Sequence, residues 1–153
     1  MDKQTGIQQH IVSGDDFQHL RSALEVSGLP SADVSFPGRT FYRFELEGRL
    51  IGFGGIERYA EDGLLRSLVV VPELRGKGFG ARLLAQMESL ASAAGIKRLH
   101  LLTTSATEFF KAQGYRLTER VLAPEPIAAT EQFAMLCPST ADYLIRDLAN
   151  TLP

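Results

Sequence analysis

The stretch "LVVVPELRGKGFGARLL", Leu68 to Leu84, decides how the rest of the chain is read. A β-branched run stops at Pro72, which reads as the end of a strand. Gly76, Gly78 and Gly80 follow, interleaved with Arg75 and Lys77, and an apolar-periodic segment then continues to Gly95 as a helix. The glycines thus form a strand-to-helix turn. A helix N-terminus presents unpaired amides and a partial positive charge, and anions settle there. Glycines let the backbone approach a ligand and curl its N–H groups into a concave nest. The turn therefore suits a phosphate or pyrophosphate; the competing reading is a glycine-rich turn with no ligand. Two phosphate motifs fail on spacing. No Ser or Thr follows Lys77, as a Walker loop requires, and the glycines run G-x-G-x-G rather than G-x-G-x-x-G.

Outward from this turn, "QQHIVS" reads as a first strand, and "DFQHLRSALEVSGL" as a helix with Ser13, Asp15 and Asp16 as capping oxygens. Phe17, Leu20, Ala23 and Leu24 mark its buried face. "LPSADVSFPGR" is turn-rich and reads as a loop or a short second helix. "TFYRFELEGRLIGFGGIERY" gives two strands joined at Glu47-Gly48, the second weakened by Gly52, Gly54 and Gly55 unless something approaches closely. After a turn at Glu61-Asp62 come the strand "LLRSLVVV", the helix, the strand "KRLHLLTT", the helix "SATEFFKAQG", the strand "YRLTERVLA", a short helix in "PEPIAATEQFAMLCP" and a last strand "ADYLIRDL". The expected class is α/β of the α+β kind: a mixed, mostly antiparallel central sheet flanked by helices, with one right-handed parallel crossover. Residues 1–153 read as a single domain.

The 153 residues, 44% hydrophobic, suffice for one core. A net charge of −2 gives no global field for nucleic acid. One cysteine, Cys137, excludes an internal disulfide and reads as a buried structural thiol. The opening residues lack a signal-peptide core, and no apolar run reaches the ~20 residues of a membrane span, so a cytoplasmic location with no membrane partner is expected. His10, His19 and His100 have no metal-ligand spacing, and no metal is expected. His100 reads as packing or as a buried hydrogen bond.

The same segment resembles the acetyl-CoA-binding motif of the GNAT superfamily of N-acetyltransferases, Q/R-x-x-G-x-G/A, with Arg75, Gly78 and Gly80 at the defining positions. "FFKAQGYRL" resembles the family's next motif, and the likeness spans about residues 40 to 120. It implies a GNAT fold with a splayed parallel strand pair and acetyl-CoA as co-substrate. The backbone of Arg75, Gly76, Lys77, Gly78, Phe79, Gly80 and Ala81 would hold the pyrophosphate. Leu68, Val69 and Val70 would line the pantetheine arm, with Leu68 and Val70 pairing with it like an added strand. Thr103 and Phe110 would lie beside the coenzyme, and Thr103 to Ser105 also read as caps for the next helix.

Acetylating an amine requires loss of its proton, donors for the oxyanion and a proton for the departing thiolate. The family's usual glutamate position is Leu64 here, and its usual tyrosine position is Phe110. Glu57, across the hairpin from Arg66, is the replacement base; otherwise it is a solvated strand-end carboxylate. Arg66 reads as a clamp on an acceptor carboxylate, or as a surface arginine. Thr104 joins the acceptor side. Finer resemblances, to small GNAT proteins associated with arsenic resistance and to the acetyltransferase domain of N-acetylglutamate synthases, imply a small amino acid-like amine as partner. The family adds a homodimer as a candidate assembly. Two rivals stand beside this reading: a non-catalytic acyl-CoA sensor or interaction module, and a protein or peptide acetyltransferase.

Overall fold

The apolar spacing of the chain resolves into alternating strands and helices in a computed structural model, which describes residues 6–35, 37–136 and 140–148. In chain order they are β1 (Gln8–Ile11), α1 (Asp16–Val26), β2 (Arg39–Leu46), β3 (Arg49–Tyr59), β4 (Asp62–Val70), α2 (Phe79–Ala93), β5 (Arg98–Thr103), α3 (Thr107–Ala112), β6 (Arg116–Thr118), α4 (Glu125–Ala128) and β7 (Asp142–Asp147). The strands form one sheet in the order β1-β2-β3-β4-β5-β7-β6. Pairing is antiparallel in β1–β2, β5–β7 and β6–β7. The parallel ladder joins β4 to β5 from Asp62↔Arg98 to Leu64↔His100, while β4 continues to Val70. The expected mixed, mostly antiparallel sheet with flanking helices is what forms. The expectation for Cys137 lies outside the described residues.

Two compact units divide the chain: Met1–Gly55 with Ser67–Met87, and Ile56–Arg66 with Glu88–Pro153. In the first, the helical spacing places Leu20 and Leu24 in a core with Val12, Val34, Phe41, Phe53 and Val69, and Phe17 and Ala23 pack on its margin. Each such side chain, fully buried, stabilises by about 1.5–3 kcal/mol. The glycines of β3 belong to this unit. A Cβ on Gly52 would stand 2.1 Å from the Val69 carbonyl oxygen, and one on Gly54 would stand 2.8 Å from the Met87 sulfur. β3 is thus glycine-rich because a neighbouring strand and α2 lie directly against it.

In the second unit, Leu64, Ile127, Phe133, Tyr143 and Ile145 form the core, with Tyr59 and Leu102 packed on it. Edge-on contacts of Phe110 with Phe109 and Tyr115, at 5.0 and 5.6 Å, build a further aromatic group.

Several local expectations are corrected. No side chain caps α1; the amides of Asp16, Phe17 and Gln18 are met by the backbone carbonyls of Ser13, Gly14 and Asp15. Among the described residues of 29–38 the loop alternative holds, with turns around the buried Asp33, whose carboxylate accepts from Arg39 Nε at 3.1 Å. The β3–β4 turn falls at Ala60 and Glu61, one residue early, with Ala60 at φ +58. The strand expected over "YRLTERVLA" is only β6, after which Arg120–Leu122 coil into a 3-10 turn that exposes Val121 and Leu122.

The glycine contacts yield a ranked outcome. Gly52→Ala meets backbone and should cost about 3 kcal/mol or more; Gly54→Ala meets a flexible thioether and should cost about 1 kcal/mol. Urea titrations of the two variants check the ranking, and equal losses would contradict it.

Candidate active site

In the first unit, Pro72–Leu74 form a 3-10 turn anchored by the buried Leu74, and the chain then turns through Arg75 to Gly78 into α2. Gly76 and Gly78 have φ of +77 and +86, with open space around both. The torsion, and not crowding, is what requires glycine there. The first α2 bond runs from Arg82 N to Gly78 O at 3.4 Å, so the amides ahead of it have no intrahelical acceptor.

The first turn of α2 holds no acidic residue, and Arg82 lies over the Phe79 ring at 5.3 Å. Neither Arg75 nor Lys77 has a carboxylate partner among the described residues. Cations at the positive end of a helix are unfavourable, and an anion placed there resolves the conflict. The predicted Arg75, Gly76, Lys77, Gly78, Phe79, Gly80 and Ala81 therefore come together as one exposed, electropositive turn. Val69 is buried, while Leu68 and Val70 are half-buried. The Val70 carbonyl already accepts a hydrogen bond from Arg75 Nε at 2.9 Å.

In the second unit, Glu57 and Arg66 meet as expected: Arg66 Nη1 donates to Glu57 Oε2 at 2.9 Å. Both side chains are fully buried, so neither is the solvated strand-end group of the bland readings. The Tyr59 hydroxyl donates to Glu57 Oε1 at 2.6 Å. The Glu57 carboxylate thus accepts from a hydroxyl on one oxygen and from a guanidinium on the other. Arg66 spends one arm of its fork on Glu57 rather than presenting a bare clamp. Ser67, the next residue, has φ +59 and interrupts the strand's period of two.

Removing one partner of such a pair leaves a lone buried charge, at about 3–5 kcal/mol. Glu57→Gln should therefore lose stability by about 3 kcal/mol, and Glu57→Gln with Arg66→Met should recover most of it. Denaturant unfolding of the single and double variants checks this, and a double variant no more stable than the single one contradicts it.

His100 is buried between two polar groups. Its Nε2 lies 2.7 Å from Asp62 Oδ1 and its Nδ1 lies 2.7 Å from the Tyr143 hydroxyl. A carboxylate only accepts, so Nε2 carries the proton and Nδ1 accepts from Tyr143. Burial pushes the His100 pKa below its ordinary value, against the raising influence of Asp62. Burial foremost, aided by the Asp62 charge, pushes Tyr143 up to about 12.

Leu64 sits fully buried against Tyr143, an apolar wall where the family's glutamate would be. Thr103 Oγ1 accepts from Ala106 N at 2.9 Å, but Ala106 is the N-cap of α3 and no side chain caps the helix, so the expected capping by residues 103–105 is corrected; Thr104 is exposed. Phe110 is buried among aromatic rings.

A depressed histidine pKa means the unfolded chain binds the proton first. The associated stability is complete above about pH 6.5, the unfolded value, and is lost as pH falls from there toward the folded pKa. The urea midpoint should drop between pH 7.5 and 5.5, and His100→Gln should flatten that drop. An unchanged slope in the variant would exclude His100 as its source.

Sequence reasoning missed Tyr59, Tyr143 and Arg82. Arg82 alone left a readable sign, a cation in the first turn of a helix, where the dipole disfavours it. Tyr143 depends on a pairing with His100 from a distant segment, whereas Tyr59 reaches Glu57 two residues back on its own strand.

Comparison with known proteins adds the family. Residues 37–117 match the family described as "Acetyltransferase (GNAT) domain". A segment is similar to N-alpha-acetyltransferase 80 of Mus musculus, 45% identical over 58 residues, covering 38% of this chain and 18% of that protein. Another is similar to an amino-acid acetyltransferase of Ralstonia nicotianae, 35% identical over 77 residues, covering 49% and 17%. The match thus spans under a fifth of these curated relatives. A crystal structure of N-acetylglutamate synthase from Neisseria gonorrhoeae, complexed with coenzyme A and N-acetyl-glutamate, superposes with a TM-score of 0.74 at 25% identity, covering 94% of this chain and 35% of that one.

Proposed function

The chain belongs to the GNAT acetyltransferase family, and we propose that residues 1–153 act as one domain that moves an acetyl group from acetyl-CoA to the amino group of a small amino acid-like acceptor. The observation that carries this is the electropositive turn at the head of α2: left-handed glycines, open space, and Arg75 and Lys77 without carboxylate partners among the described residues. Those donors suit the pyrophosphate of coenzyme A. Acetyl-CoA would supply an activated acetyl thioester.

The amides of Gly76 to Ala81 hold the diphosphate; that of Arg75, expected to join them, already donates to the Pro72 carbonyl at 3.3 Å. Leu68, Val69 and Val70 flank the pantetheine arm, with the Val70 carbonyl already engaged by Arg75. Glu57 takes the amine proton, and Arg66 and Tyr59 orient it, an orientation supported by the 2.9 and 2.6 Å bonds. Arg66 and Thr104 serve the acceptor. The amino acid acceptor is supported by the name of the Ralstonia relative and by the N-acetyl-glutamate in the Neisseria structure.

One specific observation favours a second reading. Glu57 is wholly buried and paired, and Leu64 and Phe110 stand where the family's acid–base groups would be. A non-catalytic acyl-CoA-binding module would need no more than this. A coenzyme A-release screen separates the two. Acetyl-CoA is supplied with free amino acids, their arsenic- and phosphorus-bearing analogues, and peptides with free N-termini. Release should require an added amine and be fastest with an amino acid-like one. Tight acetyl-CoA binding with no release across the panel would favour the binding module. Release confined to peptides would move the acceptor to the chemistry in the mouse relative's name.

A further inference from the structure

Arg75 is the first residue of the phosphate-loop motif, yet its side chain is committed elsewhere within the first unit. Nε donates to the Val70 carbonyl at 2.9 Å, and Nη2 donates to Ser27 Oγ at 2.7 Å. These atoms form one edge of the guanidinium fork, so two bonds to different elements fix its plane. Ser27 closes the C-terminal end of α1. Its own amide bonds back to Ala23 O and Leu24 O, Gly28 bonds to Glu25 O, and Leu29 bonds to Leu24 O. The hydroxyl is therefore carried on a closed helix end, which makes it a firm anchor.

Electrostatics points the same way. The last turn of α1 contains no basic residue, so the negative end of its dipole is uncompensated within the helix. Arg75 supplies that cation from 48 residues away in sequence. The placement also eases the cost of keeping an arginine beside the positive head of α2. Both of its acceptors are neutral, so its charge stays available to the loop.

Resting on the proposed coenzyme A site, we propose that Ser27 is a positioning residue for that site. With the α1 terminus it holds Arg75 as a strut between the end of β4 and the start of the glycine turn, and so presets the amides that receive the diphosphate. The residue lies far outside the motif and touches the loop only through Arg75.

The test measures Kd by calorimetry for coenzyme A, and by ligand-observed NMR for S-acetylpantetheine, which lacks the diphosphate. Ser27→Ala should weaken coenzyme A about tenfold, or 1.4 kcal/mol, and leave S-acetylpantetheine unchanged. Ser27→Thr, which keeps the hydroxyl, should restore coenzyme A affinity. Equal coenzyme A affinity in wild type and Ser27→Ala overturns the inference. So does an equal loss for both ligands, which would mark a general packing role. A wild-type chain that binds no coenzyme A overturns the proposed function itself, and this inference with it.

Discussion

The packing behind the electropositive turn begins at the glycines of β3. At Gly52 a side chain would run into the Val69 carbonyl oxygen, and at Gly54 it would press on the flexible Met87 thioether of α2. Close backbone approach seats α2, and the seat fixes where its first amides point. The turn ahead of α2 is then free to leave those amides unpaired, because the helix is held by packing and not by its cap. A capped, acid-led helix would be more stable alone and would have no vacancy for an anion.

The second unit handles charge in the opposite way. Glu57 and Arg66 are withdrawn from water altogether, where each is tolerable only because of the other. Asp62, His100 and Tyr143 form a similar closed set, tying β4, β5 and β7 by side chains. Replacing such sets by apolar residues would cost little stability, so their persistence is weak as a stability argument.

The periodic segments were fully legible: β3, β4, α1, α2 and β5 follow from apolar spacing and glycine punctuation, because burial on one face writes itself into the pattern. The Glu57–Arg66 encounter was legible too, since a hairpin with a short turn leaves few registers. The misreadings share a physical cause. Ser13, Asp15 and Asp16 look like caps, but local backbone bonds satisfied the same amides first. "YRLTERVLA" has strand composition, but only three residues find a partner in β7. Arg75 was legible as a motif residue and not as a strut, because a serine 48 positions away carries no sign of its partner.

Ser67 holds a left-handed φ of +59 with a side chain attached, at the point where β4 passes from Arg66 to Leu68. For an L-residue that torsion is costly by about 1–2 kcal/mol, so the isolated strand would not choose it. Local preference and final shape disagree at this one bond, and the disagreement can be settled only by neighbours already in place. The bend between Arg66 of the buried ion pair and Leu68 is therefore imposed by tertiary contacts and not by local preference.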